Sequence, residues 1–335
     1  MTVTPEPTTV PAAGLGARDR LNAGANGTIY RLHDYRLTTV PGPLVFKEYK
    51  LRSMSVSLAG LQNLVAVRHR MESQRRAAFD ELSVWPVRVV VNDDGTPAGV
   101  LMRLIPDDFM QDIALPSGAR ERIPREVQHL IFDPATARQR EIDVPADGDV
   151  RSRIAVCAQL AYAVSLLHGA DLVYGDLSAR NVLYRLRPTP SVLLVDCDAA
   201  RVRGTAAVNK QQDTPDWDPP ERATGSTPQS QATDRYKLAL FILRCLAPGR
   251  GRSVRRDWAL AAPVLGPSGT ALLRAALEGP PGDRPKARQW LFHLRERLGS
   301  PSLPPYPAAV PAPARRVVTT DGWRRGADGT WVPAG

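Results

Sequence analysis

Two polar turns set in apolar sequence carry the groups best suited to chemistry. In Leu172-Val173-Tyr174-Gly175-Asp176-Leu177-Ser178-Ala179-Arg180-Asn181-Val182-Leu183-Tyr184, apolar flanks enclose an acid, Asp176, and an amide, Asn181, five residues apart. Val192-Leu193-Leu194-Val195-Asp196-Cys197-Asp198 follows, an apolar run that ends in acid. Such oxygens are hard ligands suited to Mg2+, which keeps several waters and binds through one or two carboxylates plus substrate phosphates. Far upstream, Gly24 and Gly27 lie in Leu21–Tyr30 between β-like flanks, where a missing Cβ lets backbone N–H groups approach a phosphate. Twenty residues beyond Gly27, Lys47 ends the run Val45-Phe46-Lys47. Only five of the 44 basic residues are lysines (Lys47, Lys50, Lys210, Lys237 and Lys286), which leaves 39 arginines and makes a strand lysine worth noticing. A compact ammonium reaches phosphate oxygens as a point charge, a role the guanidinium fork does not fill. Taken singly, the glycines also describe an ordinary turn and Lys47 a surface residue at a strand end.

The elements that must position these groups divide the chain. Residues 1–16, rich in Thr, Pro and Ala, read as a disordered lead-in. Residues 17–106 hold short β-like stretches, among them Leu44-Val45-Phe46, Val87–Val91 and Val100-Leu101-Met102, with Asn92-Asp93-Asp94-Gly95 as a hairpin turn. One long helix is expected from Leu58 to Leu82. Residues 107–149 are polar, basic and irregular. From Val150 onward helices dominate, notably Ile154–His168, Asp234–Cys245 and Ala287–Leu298. Prolines between 301 and 313 make a stiff linker to a tail carrying Trp323 and Trp331. That tail has three open readings: a small hairpin, a docking element for a partner, or unstructured chain.

Composition bounds the class. The chain has 335 residues, 43% hydrophobic and 23% charged, as in an ordinary soluble globular protein. Three widely spaced cysteines exclude a disulfide framework and a cysteine zinc site, and favour a reducing cytosol. The longest apolar run, Leu238–Leu243, falls far short of the ~20 residues a bilayer needs. The first residues lack the basic and apolar regions of a signal peptide. A cytoplasmic protein without membrane insertion or disulfide partner is therefore expected. The net charge of +10 could attract nucleic acid or acidic lipid, but the charges are interleaved, so a nucleic-acid partner is not expected.

Over about residues 17–300 the chain resembles the protein kinase superfamily, specifically a divergent bacterial branch of the eukaryotic-like Ser/Thr kinases. Leu21–Tyr30 looks like the kinase glycine-rich loop, with Asn22 in the first glycine's place, where Asn is the non-Gly residue best able to take a positive φ. Lys47 matches the strand lysine on the α- and β-phosphates. Asp176 and Asn181 match the catalytic-loop aspartate and asparagine, and Asp196 the metal-binding aspartate of Asp-Phe-Gly. Met102 to Ile105 falls at the hinge between lobes, with Arg103 and Ile105 offering backbone contacts to adenine. Thr214-Pro215-Asp216-Trp217-Asp218-Pro219-Pro220-Glu221 resembles the run that closes an activation segment, with Asp213 in a glycine's place. Asp234 is similar to the buried aspartate bracing the catalytic loop, and Arg284 to the arginine that pairs with the Pro-Glu glutamate, here Glu221.

The resemblance implies an α+β, bilobed, protein-kinase-like fold, with a small β-rich N-lobe (17–106) and a larger helical C-lobe (107–300). It implies ATP and Mg2+ or Mn2+ as cofactors, and transfer of the γ-phosphoryl to Ser/Thr hydroxyls of a protein. Asn22, Gly24, Gly27, Ile29, Lys47, Met102, Arg103 and Ile105 would hold the nucleotide. Asn181 and Asp196 would hold nucleotide and metal, and Asp176, Lys47 and Arg180 would act in catalysis. Departures accompany the matches. Gly175 replaces the arginine that docks an activation-loop phosphate, Asp198 the glycine of Asp-Phe-Gly, and Ser178 a catalytic-loop lysine whose charge Arg180 could supply. Glu72 is the best acid on the long helix to pair with Lys47. Two other readings are a pseudokinase scaffold and a small-molecule kinase of the aminoglycoside or choline kinase kind. Glu221 and Arg284 argue against the latter.

Overall fold

The computed structural model describes residues 7–24, 26–50, 55–146, 148–205, 207–209, 214–222, 227–249, 256–299, 323–325 and 331–333. The N-terminal part is a six-stranded sheet of β1 (Thr9–Pro11), β2 (Arg18–Ala23), β3 (Gly27–Leu32), β4 (Leu44–Tyr49), β5 (Arg88–Val91) and β6 (Pro97–Arg103). Its strand order is β1-β5-β6-β4-β3-β2, antiparallel except for the β1–β5 pair. Strand β4 therefore runs through the interior of the sheet, with Lys47 opposite Ile29 on β3 and Val100 on β6. Side chains alternate across a strand. Leu44 and Phe46 accordingly join Leu15, Leu32, Val90 and Leu101 on one face, while Val45 and Tyr49 join the main core on the other. Lys47 shares the face of Val45 and Tyr49, so the lysine is aimed inward, toward the rest of the molecule.

Two sequence expectations change here. Residues 7–16, read as part of a disordered lead-in, supply β1, and Leu15 is buried. Three backbone partners beside β5 and an apolar pocket for Leu15 outweigh a Pro/Thr-rich composition. The single long helix is instead two, α1 (Leu58–His69) and α2 (Ser73–Leu82), broken where Met71 turns into the core and Glu72 becomes extended. Arg68 on α1 and Asp80 on α2 tie the two across this break through bonds of 2.7 and 2.6 Å. The hairpin expected at Asn92–Gly95 is present between β5 and β6.

Residues 107–149, which sequence alone left without a reading, begin with a hairpin of β7 (Met110–Ala114) and β8 (Arg120–Pro124), followed by short helices α3 (Gln128–Ile131) and α4 (Pro134–Gln139). The C-terminal part is helical, with α5 (Val150–His168) at its centre, then short strands β9 (Leu172–Val173), β10 (Val182–Arg185), β11 (Ser191–Leu194) and β12 (Arg201–Val202). Helices α6 (Gln231–Leu246), α7 (Ala262–Glu278) and α8 (Ala287–Arg297) complete it. The structure is thus mixed α and β, β-rich toward the N-terminus and helical toward the C-terminus. Helix α5 and residues 258–278 are long and apolar enough to cross a membrane by length and composition. Both, however, bury apolar faces in the core. Of the tail, β13 (Trp323–Arg325) pairs with β14 (Trp331–Pro333), and Trp331 pairs with Arg122 on β8, so these described residues join the sheet of β7 and β8. Cys157, Cys197 and Cys245 are buried and unpaired.

Candidate active site

Strand pairing brings the chemistry-bearing residues together. The register of β10 against β11 sets Val182 opposite Leu194. The residues flanking that pair, Asn181 and Val195, then meet through a bond from the Val195 N–H to the Asn181 carbonyl of 3.0 Å. Asn181 and Asp196 are thereby neighbours although fifteen residues separate them in sequence. Asn181 Nδ2 donates to Asp176 Oδ2 at 2.7 Å and to the Asp176 carbonyl at 2.8 Å. The amide nitrogen is committed to that turn, and the oxygen is the atom left for a cation. Thr214 Oγ1 donates to Asp176 Oδ1 at 2.9 Å, so both carboxylate oxygens of Asp176 are oriented. Burial raises the pKa of Asp176, and the bonds from Thr214 and Asn181 and the charge of Lys237 oppose the rise without cancelling it.

Lys47 reaches this cluster from the sheet. Its Nζ donates to Asp196 Oδ1 at 3.0 Å and to Asp198 Oδ1 at 2.7 Å. Burial alone would pull the lysine pKa down, but Asp198 and then Asp196 outweigh it and hold the ammonium above the ordinary lysine value. Asp196 itself has φ 51° and ψ 35°, a left-handed conformation that costs a non-glycine residue about 1 kcal/mol or more. Strain of that kind persists only where the surroundings dictate it, here between β11 and the 3-10 turn Cys197–Ala199.

Helix α6 braces the turn from below. Its Ser230–Thr233 capping box fixes the first turn, which places Asp234 and Lys237 three apart on one face. Asp234 is fully buried and accepts the N–H groups of Tyr174 and Gly175, both at 2.9 Å, while Lys237 donates to the Gly175 carbonyl at 2.6 Å. Gly175 has φ +82°, and a Cβ there would lie 2.3 Å from Gln229 Oε1. An arginine, the residue the resemblance leads one to expect, would be strained at this φ and would require the end of the Gln229 side chain to shift. Gly175→Ala should cost more than the ~1–2 kcal/mol of a left-handed alanine, read as a lowered melting temperature. A variant as stable as the wild type would contradict this account of the turn.

The structure corrects the pairing of Lys47 and places the other expected site residues. Glu72 is exposed at the start of α2, and the acids on Lys47 are Asp196 and Asp198. Arg180 is exposed and interacts electrostatically with Glu126, and the buried cation next to Asp176 is Lys237. Asn22 keeps to β2, where the pairing with β3 slips between Arg20 and Asn22, and it is absent from the described residues with positive φ. Gly24 and Gly27 close the β2–β3 turn by a 2.8 Å bond, while Ala25 lies outside the described residues. A Cβ on Gly27 would meet the Glu48 carbonyl at 2.5 Å, so this glycine serves the close approach of β3 to β4. Met102 is buried on β6, the Arg103 guanidinium turns back to the Asp80 carbonyl at 2.7 Å, and Ile105 packs half-buried on the core. Asp213 lies outside the described residues.

Sequence reasoning missed Asp198, Tyr49, Lys237 and Glu126. The scarcity of lysine and its spacing three residues after Asp234 were available signals for Lys237. Glu126 had none, because its place beside Leu183 depends on long-range pairing. Burial raises its pKa to about 7, against the opposing charge of Arg180. Between the ordinary 4.5 and about 7 the folded chain holds a proton that the unfolded chain has lost, so stability falls as pH rises through this window. Glu126→Gln should flatten that decline in urea melts taken from pH 5 to pH 8. An unchanged slope would show that Glu126 is already ionised in the folded protein.

A cavity of about 500 Å3 lined by Asp108, Asp112, Arg122, Arg125, Asp143 and others shares no residue with this cluster. Three of its lining arginines are paired, Arg120 with Glu141, Arg122 with Asp107 and Asp112, and Arg125 with Asp143. No family model matches the chain, and no curated protein matches it.

Proposed function

We propose that the protein is an ATP-dependent phosphotransferase of protein-kinase type, with Ser or Thr hydroxyls as acceptors. One observation carries the reading. Lys47, Asp176, Asn181, Asp196 and Thr214, drawn from four separate stretches of chain, meet through bonds of 2.7–3.0 Å in two adjoining groups, Lys47–Asp196 and Thr214–Asp176–Asn181. The β-rich N-terminal sheet and the Glu221–Arg284 pair are further support, since the resemblance implies both.

In this reading Lys47 binds phosphate oxygens with the ammonium protons its carboxylates leave over. The Asp176 carboxylate, kept in place by Asn181 and Thr214, orients the acceptor hydroxyl and takes its proton as the phosphoryl is transferred. Asn181 Oδ1 and Asp196 offer hard oxygens to Mg2+ or Mn2+. Among the described residues no group of three His, Cys, Asp or Glu side chains gathers here, so substrate phosphates and water would complete the shell. Such a cation would neutralise charge on the phosphates. The chain's own contribution is positioning and fixed charge. Thr214 on Asp176 favours Ser or Thr over Tyr as the acceptor, and the Glu221–Arg284 pair favours a protein acceptor over a small alcohol.

Incubation with γ-labelled ATP and Mg2+ or Mn2+, beside a Ser/Thr peptide library and a panel of small aminoalcohols, tests the assignment. Label on peptide or on the protein itself is expected. Label on the small alcohols alone would favour a small-molecule kinase, and nucleotide binding without any transfer would favour a pseudokinase.

A further inference from the structure

We propose that Asp198 is the residue that anchors Lys47 for nucleotide, a positioning role that rests on the phosphotransferase reading. Both acids bond the ammonium, yet they differ in kind. Asp198 lies closer, at 2.7 Å against 3.0 Å, and its side chain is 5% exposed where that of Asp196 is 57% exposed. The second oxygen of Asp198 accepts from the Tyr49 hydroxyl at 2.9 Å. Both oxygens of Asp198 are thus engaged by β4, at positions 47 and 49 of one strand face, and the carboxylate is turned into the core. Asp196, open to water, is the acid free to move.

The helices over this face supply no substitute. Helix α1, Leu58–His69, contains no acidic residue. On α2, Asp80 is taken by Arg68, and Glu72 and Glu81 are exposed. The anchor is carried instead on the 3-10 turn that begins at Asp196. If the Asp196 carboxylate turned to a cation, Lys47 would stay neutralised by Asp198 and keep donors for phosphate, because an ammonium has three. Pairing of the lysine then needs no movement of a helix. It is complete whenever residues 196–198 hold their turn.

Binding of a fluorescent ADP analogue to the full chain, with and without Mg2+, separates the two acids. Asp198→Asn is expected to weaken binding about tenfold in both conditions, whereas Asp196→Asn weakens only the Mg2+-dependent part. In a Lys47→Met background, Asp198→Asn should add nothing, because it acts through the lysine. Tyr49→Phe, the milder change, should shift affinity the same way by less, and it keeps the test open if Asp198→Asn folds poorly in thermal melts. An Asp198→Asn effect confined to Mg2+ would make Asp198 a metal ligand and overturn the proposal. So would an equal loss in the Lys47→Met background. Wild-type protein that binds no nucleotide at all would remove the functional reading. The anchor is then decided by reductive methylation of Lys47 at fixed pH. Labelling that rises more in Asp198→Asn than in Asp196→Asn supports it, and the reverse order overturns it.

Discussion

Asp176→Ala is expected to leave nucleotide affinity nearly intact and to lower turnover by about 10²–10⁴-fold from lost proton transfer alone, with lost positioning adding to this. The carboxylate is bonded to Thr214 and Asn181, apart from the Lys47–Asp196 group, so the proposed reaction assigns it to the acceptor side of the cluster. Lys47→Met should differ in pattern. In the proposed reaction its ammonium would contact the phosphates before and during transfer, so affinity and turnover should both fall. Steady-state kinetics beside direct nucleotide binding distinguish the two. If Asp176→Ala weakened nucleotide binding as strongly as Lys47→Met, the division of roles would be wrong.

The second large effect concerns stability. Arg284 grips Glu221 through two parallel bonds of 2.6 and 2.7 Å, also donates to the Ala232 carbonyl, and stacks 4.9 Å from the ring centre of Tyr236. Burial pushes the Glu221 pKa up, but the Arg284 bonds outweigh it and leave it below the usual glutamate value. The Arg284 side chain is only 2% exposed and that of Glu221 19% exposed. Glu221→Ala would leave a guanidinium buried without its carboxylate. A broken buried pair costs about 3–5 kcal/mol, and the partial exposure of Glu221 places the loss near the lower end. Chemical denaturation should show that loss for Glu221→Ala and a far smaller one for the surface variant Glu296→Ala. Equal losses would mean that the pair does not brace residues 214–222.

Much of this arrangement was legible in sequence because its motifs are local. The turn from Leu172 to Tyr184 and the acid at Asp196 follow from residue types in order, the pairing of Glu221 with Arg284 follows from the resemblance, and the structure brings each to a partner. The helices α5, α6 and α8 were visible in sequence; the capped N-termini of α5 and α6 extend the expected bounds by a few residues, whereas α8 ends at Arg297, just short of its expected end. What was hidden depends on tertiary contact. Nothing local shows that Leu58–Leu82 breaks at Met71–Glu72, since no glycine or proline stands there. The break follows from burial of Met71 and the Arg68–Asp80 bond. The place of Asp198 was hidden for the opposite reason. As a departure from a glycine it read as a defect, whereas the fold uses its carboxylate to hold Lys47 and Tyr49. Gly175 likewise reads as a lost arginine until Gln229 is seen filling the space.

The central claim is that Asp196, Asp176 and Lys47 form a working phosphotransfer site. A single-turnover assay with γ-labelled ATP tests it most directly, comparing wild-type protein with Asp196→Asn in Mg2+ and in a chelator. The account predicts metal-dependent label on serine or threonine in the wild type, absent in chelator and in Asp196→Asn even where that variant still binds ATP. Transfer that persists at the wild-type rate in Asp196→Asn would contradict it, because the chemistry would then lie elsewhere on the chain.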